Sequence, residues 1–199
     1  MTGKRIIISA GGTGGHIYPA ISIINKIKKE DPTSEFLYIG TKNRMESKIV
    51  PELGIPYLGV NIIGLKKDLS CFKSLALFLK GIKTCKKEIK KFNPDIVIGV
   101  GGYITAPVIY SAKKLGYKTI IHEQNSIPGK SNRFLEKYTD KVMISLPGSR
   151  EYFNKEKTIL TGNPRSEEAV EVKPIDKKEL GLSKDKKLVL IVMGSLGSK

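Results

Sequence analysis

Residues 6–20 read IIISAGGTGGHIYPA, in which an apolar run is followed by a glycine cluster and then by a second apolar segment. The β-branched run is typical of a strand, and the proline ahead of the next apolar periodicity indicates that a helix begins near Pro19. Glycines between them let the backbone approach a ligand that a Cβ would repel, and the free N–H groups of the helix start point toward that ligand. The stretch therefore predicts a strand, a tight turn and a helix that together suit an anion, most often a phosphate.

The two standard nucleotide-binding fingerprints do not fit this glycine cluster. Read as G-x-G-x-x-G from Gly12, the third glycine position holds Ile17, and the segment 36–41 ends without the acidic residue that binds a ribose. No Gly-Lys-Ser/Thr follows, which excludes a P-loop. His16 stands out instead at the mouth of the turn, either as a reacting group or as a structural residue of the helix start.

The rest of the chain alternates between two kinds of periodicity. Apolar or β-branched runs predict strands at 35–39, 55–60, 96–100, 118–122 and 142–145. Helical periodicities lie between them at 19–29, 44–50, 71–92, 106–115 and 130–138. Strands that alternate with helices indicate βαβ units, so the predicted fold class is α/β, a doubly wound, Rossmann-like parallel sheet.

The pattern changes near residue 162, which suggests three parts of unequal size. Residues 1–162 carry the alternation, 163–186 are polar and charged like an interdomain linker, and 187–199 resume with an apolar strand and a glycine segment. That last part reads as the first strand of a further domain, so the chain is expected to be a fragment of a longer protein.

The apolar runs, the N-terminal sequence and the cysteines indicate the cellular compartment in which the protein is expected. No apolar run approaches the roughly 20 residues of a membrane span, and no secretory signal follows Met1, which favours the cytoplasm. Cys71 and Cys85 lack the spacing of a metal or redox motif, so both are expected to be reduced packing residues.

Positive charge is concentrated in one segment. The formal net charge is +16, and the region 64–91 holds nine lysines against Asp68 and Glu88. Its helical stripe, expected to pack on the sheet, comprises Phe72, Leu75, Leu79, Ile82, Ile89 and Phe92. Apolar residues ringed by lysines suit an anionic membrane surface, although a loop folded back over the core would look the same. The candidates for membrane association are Ile62, Ile63, Leu65, Lys66, Lys67, Phe72, Lys73, Phe78 and Lys80.

Unusual sequence follows three of the predicted strands. The segments are GGTGGH at 11–16, VGGYITAP at 100–107 and HEQNSIPG at 122–129, and a helix is predicted after each. Because the carboxyl ends of parallel strands meet at one edge of the sheet, where ligands bind in such folds, we expect these loops to lie together.

Four segments in order resemble the motif set of the MurG family of bacterial glycosyltransferases. They are GGTGGHIYPA at 11–20, GGYITAP at 101–107, HEQNSIPG at 122–129 and TGNPR at 161–165. The family adds N-acetylglucosamine from UDP-N-acetylglucosamine to undecaprenyl-pyrophosphoryl-N-acetylmuramyl-pentapeptide (lipid I), which gives lipid II for peptidoglycan, the cell wall that cell shape and division require. The resemblance implies a GT-B architecture of two Rossmann-like domains, inverting transfer, and a peripheral location on the cytoplasmic face of the bacterial cell membrane. Family proteins are nearly twice this length, so the chain corresponds to the acceptor-side domain and is expected to be inactive alone.

The resemblance also implies roles for single residues. Contacts to the donor UDP-N-acetylglucosamine are carried over to Thr13, Gly14, Gly15, Asn125, Arg165 and Ser195. The acceptor diphosphate is expected at Gly14, Gly15, Gly101, Gly102 and Tyr103, where backbone N–H groups begin helices. Met193 stands where the family has a glycine, close to Ser195.

Transfer to the C4 hydroxyl of the muramyl sugar requires a base. An ordinary histidine titrates near pH 6.5, so His16 is the candidate, with Glu123 as the competitor. His122, at a strand end, is expected to be buried and hydrogen-bonded. No Asp-x-Asp occurs, so we expect neither a metal nor another cofactor, and helix N-termini would stabilise the leaving UDP.

Other functions remain open at this point. Another GT-B glycosyltransferase acting on a different glycolipid, or a non-catalytic membrane-docking domain, would share the glycine loops and the basic helix. A nucleic-acid-binding module would use the positive charge but is not expected, because the chain has no Trp and its eight Tyr are dispersed.

Overall fold

Seven parallel strands form a single sheet. The structure, a computed structural model, describes residues 3–64, 71–183 and 185–191, without the side chains of residues 71–73. The strands are β1 (Arg5–Ala10), β2 (Glu35–Thr41), β3 (Tyr57–Val60), β4 (Ile96–Gly101), β5 (Lys118–Glu123), β6 (Lys141–Ile144) and β7 (Thr158–Leu160). Their order across the sheet is β3-β2-β1-β4-β5-β6-β7.

Helices cover both faces of the sheet, as the alternating pattern predicts. They are α1 (Gly14–Glu30), α2 (Glu46–Glu52), α3 (Cys71–Phe92), α4 (Thr105–Lys114), α5 (Lys130–Leu135) and α6 (Ser166–Glu171). Short 3-10 segments lie at Glu136–Tyr138, Pro147–Tyr152 and Lys177–Leu180. The prediction of a doubly wound, Rossmann-like α/β fold is confirmed.

The central strand β1 shows why both faces must be covered. Its side chains alternate between the two faces, so Ile7 joins a core with Val108 and Ile89, whereas Ile8 joins the opposite core with Ile17 and Ile24. All six are buried. A strand without a solvent-facing side reads as a continuous apolar run, which is the pattern at residues 6–8.

The order of strands reverses beside β1, and this places the ligand-binding edge. The chain runs outward from β1 to β3 and then returns to β4 on the other side of β1. The chain therefore leaves β1 and β4 toward helices on opposite faces of the sheet, and the edge between these strands is where open α/β sheets have their ligand-binding crevice.

Three local features differ from the sequence-based expectations. Helix α1 begins at Gly14 rather than near Pro19, because Thr13 is the N-cap residue in extended backbone and the glycines form the first turn. Strand β7 was not predicted; it is only three residues long. Residues 188–191 form no strand and expose their apolar side chains, since no neighbouring strand pairs with them in the described ranges.

The chain divides into two compact units, Met1–Pro164 and Arg165–Lys199. The first unit contains the sheet and helices α1 to α5, and the second contains α6 and the last 3-10 segment. The assignment of residues 163–186 as a linker and of 187–199 as the start of a further domain stays a prediction.

Helix α3 packs on the sheet with only part of the predicted stripe. Ile89 is buried and Phe92 packs against the core, as expected. Leu75 and Leu79, expected in the core, are 48% and 58% exposed, whereas Ser74 and Cys85 are buried. The buried face of this part of the helix instead includes the small residue Gly81, which lies beside Val60 and Ile62. Burial raises the pKa of the Cys85 thiol to about 12, which suits the packing role expected for it.

Candidate active site

The first and second glycine loops are in direct contact at the crevice. The Gly11 N–H donates to the Gly101 carbonyl oxygen at 3.3 Å. A Cβ on Gly102 would lie 2.2 Å from the Gly11 oxygen, and one on Gly101 would lie 2.5 Å from Cδ2 of His16. Both second-loop glycines also have left-handed backbone, with φ of 116° and 85°. Only glycine satisfies both the conformation and the space at these positions.

His16 lies in the first turn of α1, half-buried between the two loops. Its Nδ1 is 3.4 Å from the hydroxyl oxygen of Thr13, so either atom can serve as the donor. Within the described part of the chain, the N–H groups of Thr13, Gly14 and Gly15 have no acceptor, as expected at a helix start. The turn therefore places one imidazole beside three free donors.

The third loop joins the other two. Gln124 donates through Nε2 to the Val100 carbonyl at 3.0 Å, and the Ser131 hydroxyl donates to the Gly102 carbonyl at 3.3 Å. The loops after β1, β4 and β5 are thus connected by hydrogen bonds, as their common position at the carboxyl edge predicts.

Glu123 is the organiser of the third loop. It is 1% exposed, and its two carboxylate oxygens accept from the N–H and Nδ2 of Asn125, the N–H of Gly129 and Nδ2 of Asn132 at 2.8 to 3.1 Å. Because its two oxygens already accept four hydrogen bonds and the side chain is buried, the Glu123 carboxylate is poorly placed to accept a proton from a substrate. The geometry therefore favours His16 over Glu123 as the base and gives Glu123 a structural task.

His122 is buried and hydrogen-bonded, which confirms the expectation for it. Burial lowers the pKa of its imidazole below the ordinary value of 6.5. Its Nε2 lies 3.3 Å from the Gly162 carbonyl oxygen, which can only accept, and its Nδ1 lies 2.9 Å from Nε2 of Gln124. The consistent assignment is a neutral ring that donates from Nε2 to Gly162 and accepts from Gln124 at Nδ1.

The remaining candidate residues have separate surroundings. Asn125 is exposed and is held by Glu123, while the half-buried Tyr103 packs against the core. Arg165 begins the second unit, where its guanidinium pairs with Glu168 at 2.7 Å. Ser195 lies outside the described residues. In the described ranges, no group of three or more His, Cys, Asp or Glu side chains is placed to hold a metal ion.

One charged residue of the site was not selected from the sequence. Glu46, at the start of α2, has no exposed surface, and its carboxylate accepts a hydrogen bond from the Gly12 N–H of the first glycine loop. The available signal was its position shortly after β2, at the same carboxyl edge as the glycine loops.

The predicted membrane surface needs correction. Ile62 is 5% exposed and belongs to the core, so it is not available to a membrane, and Phe78 also packs partly against the core. Ile63 is half-buried, whereas Lys80 is exposed as expected. Leu65, Lys66 and Lys67, and the side chains of Phe72 and Lys73, lie outside the description.

Helix α3 nevertheless presents an apolar and basic surface made of other residues. Leu75 and Leu79 are spaced four residues apart on its exposed face, and Lys80 and Lys83 follow them in the next turn. We call these four residues the α3 surface. Over the described residues, no helix is long and apolar enough to cross a bilayer.

A Rossmann-like sheet with glycine loops at its switch point is the arrangement in which domains of this class bind phosphorylated ligands. Residues 6–144 match the glycosyltransferase family 28 N-terminal domain, and the chain belongs to this family.

Similar proteins agree with this assignment and with the MurG resemblance. The chain is 50% identical over 198 residues to a Bacillus cereus protein named "UDP-N-acetylglucosamine--N-acetylmuramyl-(pentapeptide) pyrophosphoryl-undecaprenol N-acetylglucosamine transferase 1", and 51% identical over 197 residues to the enzyme of the same type from Bacillus licheniformis. Each match covers 98% of this chain and 54% of the relative. The chain thus spans about half the length of the curated relatives it matches.

Solved structures give the same result for the fold. The crystal structure of Acinetobacter baumannii MurG has a TM-score of 0.75 with 26% identity, over 98% of this chain and 53% of that one. The UDP-GlcNAc 2-epimerase from Neisseria meningitidis, at 16% identity and a TM-score of 0.61 over 80% of this chain and 46% of that one, shares the fold.

Proposed function

We propose that this chain is the acceptor-side half of an inverting glycosyltransferase that moves N-acetylglucosamine from UDP-N-acetylglucosamine to lipid I and so makes lipid II for peptidoglycan. The observation that carries the proposal is the contact between the first two glycine loops, which holds His16 beside three free N–H groups at the crevice. The curated relatives named for this reaction, at about half identity over nearly the whole chain, support it.

In this reaction His16 takes the proton from the C4 hydroxyl of the muramyl sugar. When Nδ1 donates to the Thr13 hydroxyl, Nε2 keeps a lone pair and can accept that proton as the oxygen attacks the anomeric carbon. The attack comes from the face opposite UDP, which inverts the configuration. Gly101 fixes the position of the ring, because the imidazole fills the space that a side chain would need.

Backbone donors bind the charged groups. The free N–H groups of Thr13, Gly14 and Gly15 begin a helix of 17 residues, and their donors and the helix dipole both favour a phosphate. The second loop, at Gly101 and Gly102, lies against Gly11 and His16 of the first loop and offers the acceptor diphosphate a further set of backbone groups. We propose no metal for the transfer, since the sequence lacks an Asp-x-Asp pair.

Donor contacts at Asn125, Arg165 and Ser195 belong to the same proposal. Asn125 is exposed at the edge of the third loop and already oriented by Glu123, so its side chain can reach a bound sugar from the crevice. Arg165 and Ser195 are assigned to the donor by their place in the family motifs.

The α3 surface supports a peripheral location on the cytoplasmic face of the membrane. Exposed Leu75 and Leu79 can enter the headgroup region while Lys80 and Lys83 bind anionic lipids. Such a location brings the crevice to an acceptor whose lipid tail stays in the bilayer.

Binding and transfer assays test the proposal together. The 199-residue chain should bind a short-chain lipid I analogue, bind UDP-N-acetylglucosamine much more weakly, and transfer nothing. A full-length MurG-family protein that carries this chain should convert the analogue to the lipid II product. Transfer to a different glycolipid in an acceptor screen would instead favour another GT-B enzyme, and acceptor binding without any transfer by the full-length protein would favour a docking domain.

A further inference from the structure

Glu46 is a buried carboxylate at the base of the first glycine loop. Its Oε2 accepts from the Gly12 N–H at 3.2 Å, and its Oε1 accepts from the N–H and hydroxyl of Thr41 at 3.1 and 2.7 Å. The residue has no exposed surface, so these donors replace water around a charged group that would otherwise be costly to bury. The carboxylate joins α2, the end of β2 and the first loop.

Two glycines make the space that this carboxylate occupies. A Cβ on Gly11 would lie 2.4 Å from Oε1 of Glu46. A Cβ on Gly40 would lie 2.7 Å from Cγ of Glu46 and 2.4 Å from the hydroxyl oxygen of Tyr57. None of these contacts is possible for a real side chain. Part of the glycine content of the loop therefore serves a partner inside the protein and not the ligand.

The hydrogen bond to Gly12 decides which amides of the loop remain free. Gly11 donates to Gly101 and Gly12 donates to Glu46, whereas the next three N–H groups have no acceptor in the described part of the chain. Gly12 has φ of 95°, in the region that favours glycine, and α1 begins two residues after it with Thr13 as the N-cap residue.

We propose that Glu46 is a positioning residue, which holds Gly12 from below and so fixes the free amides of Thr13 to Gly15 and the imidazole of His16 for the reaction. This inference deepens the proposed function and rests on it for its catalytic consequence. The loop geometry that the inference predicts is independent of the proposed function, because it can be measured without substrate.

The substitution Glu46→Gln tests the proposal with almost no change in shape. A glutamine offers one acceptor oxygen, so when that oxygen accepts from Thr41 its Nε2 opposes the Gly12 N–H, and two donors face each other. The control Thr41→Val removes the hydroxyl donor from Oε1 and leaves the bond between Gly12 and Oε2 intact. Gly11→Ala is a second variant, because its methyl group displaces the same carboxylate from the other side.

Amide hydrogen exchange and NMR on the 199-residue chain give the structural readout. We expect the Gly12 amide to be protected in the unsubstituted chain and in Thr41→Val, and to lose most of that protection in Glu46→Gln and Gly11→Ala. In a full-length MurG-family protein that carries this chain, kcat should fall about tenfold or more in the two latter variants, with a smaller change in KM for the acceptor.

Several results would overturn the proposal. One is a Gly12 amide that exchanges as fast as an exposed amide in the unsubstituted chain, which can be measured even where a variant does not fold. Another is a Glu46→Gln protein with unchanged Gly12 protection or unchanged kcat. If the unsubstituted full-length protein transfers nothing to lipid I, the proposed function fails, while the Gly12 amide still reports on Glu46.

Discussion

The imidazole of His16 lies against the α-carbon of Gly101, so closely that a Cβ on Gly101 would be 2.5 Å from Cδ2 of the ring. Two glycine loops that are far apart in the sequence thus define one position for the candidate base. The glycine of the second loop is a steric partner of the first loop, in addition to its place near the ligand.

Gly101→Ala should displace the imidazole and lower kcat/KM by about a hundredfold, because small shifts of a reacting group have effects of that size. The left-handed backbone at this residue adds a loss of stability of about 1–2 kcal/mol. Steady-state kinetics of a full-length protein and the ring resonances of His16 provide the measurements.

Gly116→Ala is the matched control for this substitution. Gly116 has φ of 83° and no atom within 4 Å of a built Cβ, so an alanine there has the same kind of strain without a neighbour to displace. It should lose similar stability and keep full activity. Equal activity losses in both variants would mean that backbone strain, and not the His16 contact, is responsible.

Substitutions of the two candidate bases, His16 and Glu123, should have different effects on the free energy of unfolding and on kcat. His16→Ala is expected to lower kcat by about 10² to 10⁴-fold with little change in the free energy of unfolding, because the ring is half-buried and makes a single long hydrogen bond. Urea unfolding of the 199-residue chain, together with kinetics of the full-length protein, measures both quantities.

Glu123→Gln should have the opposite profile. An amide provides one acceptor where the carboxylate now serves four donors, so the free energy of unfolding should fall by about 2 kcal/mol or more. Activity should fall only in proportion to the displacement of Asn125. A Glu123→Gln protein that is stable, keeps the third loop unchanged and has no turnover would support Glu123, and not His16, as the general base.

Most of the fold and the meeting of the three loops at one edge could be predicted from the sequence, because strands that alternate with helices form a parallel sheet whose carboxyl ends share an edge. The predictions from the sequence were wrong or incomplete where tertiary contacts determine which residues are buried or paired. In the first half of α3 the prediction was wrong, because periodicity favours Leu75 and Leu79 as core residues over the small residue Ser74, which is the one that is buried. Glu46 was overlooked because its partner Gly12 is 34 residues away and no local pattern connects them.

The stability of the first unit should depend on pH through His122. Because burial lowers the folded-state pKa of this histidine below its unfolded value of 6.5, the unfolded chain binds more protons as the pH falls below that value. The free energy of unfolding should therefore be highest above pH 6.5 and decrease as the pH falls toward the folded-state pKa. Desolvation acts to raise the pKa of the Asp140 carboxyl, but its bonds to Lys113 and Thr119 outweigh that effect and lower the pKa below its ordinary 3.8. Its contribution to stability is therefore lost only below about pH 3.8, so the two pH windows are separate.

His122→Asn should reduce the pH dependence of the free energy of unfolding. It should also remove the hydrogen bond from His122 to the Gly162 carbonyl, which then accepts from the hydroxyl of Ser145. Urea unfolding between about pH 5 and pH 7.5 measures the slope, within the range where histidines titrate. A slope that is the same in the variant and the unsubstituted chain would assign the pH dependence to other groups.

The α3 surface should bind anionic vesicles in a salt-dependent way. Replacing Leu75 and Leu79 by glutamate introduces charges where an apolar contact is expected, so binding should fall at least tenfold, while stability changes little because both side chains are about half exposed. Leu53→Glu, at a 54% exposed leucine after α2, is the control that adds a charge elsewhere in the first unit. Sedimentation with vesicles of phosphatidylglycerol and phosphatidylcholine, at low and high salt, compares the three proteins. Retained binding by the double variant, or an equal loss in Leu53→Glu, would mean that the exposed leucines of α3 are not the membrane contact and that the positive charge of the chain acts without them.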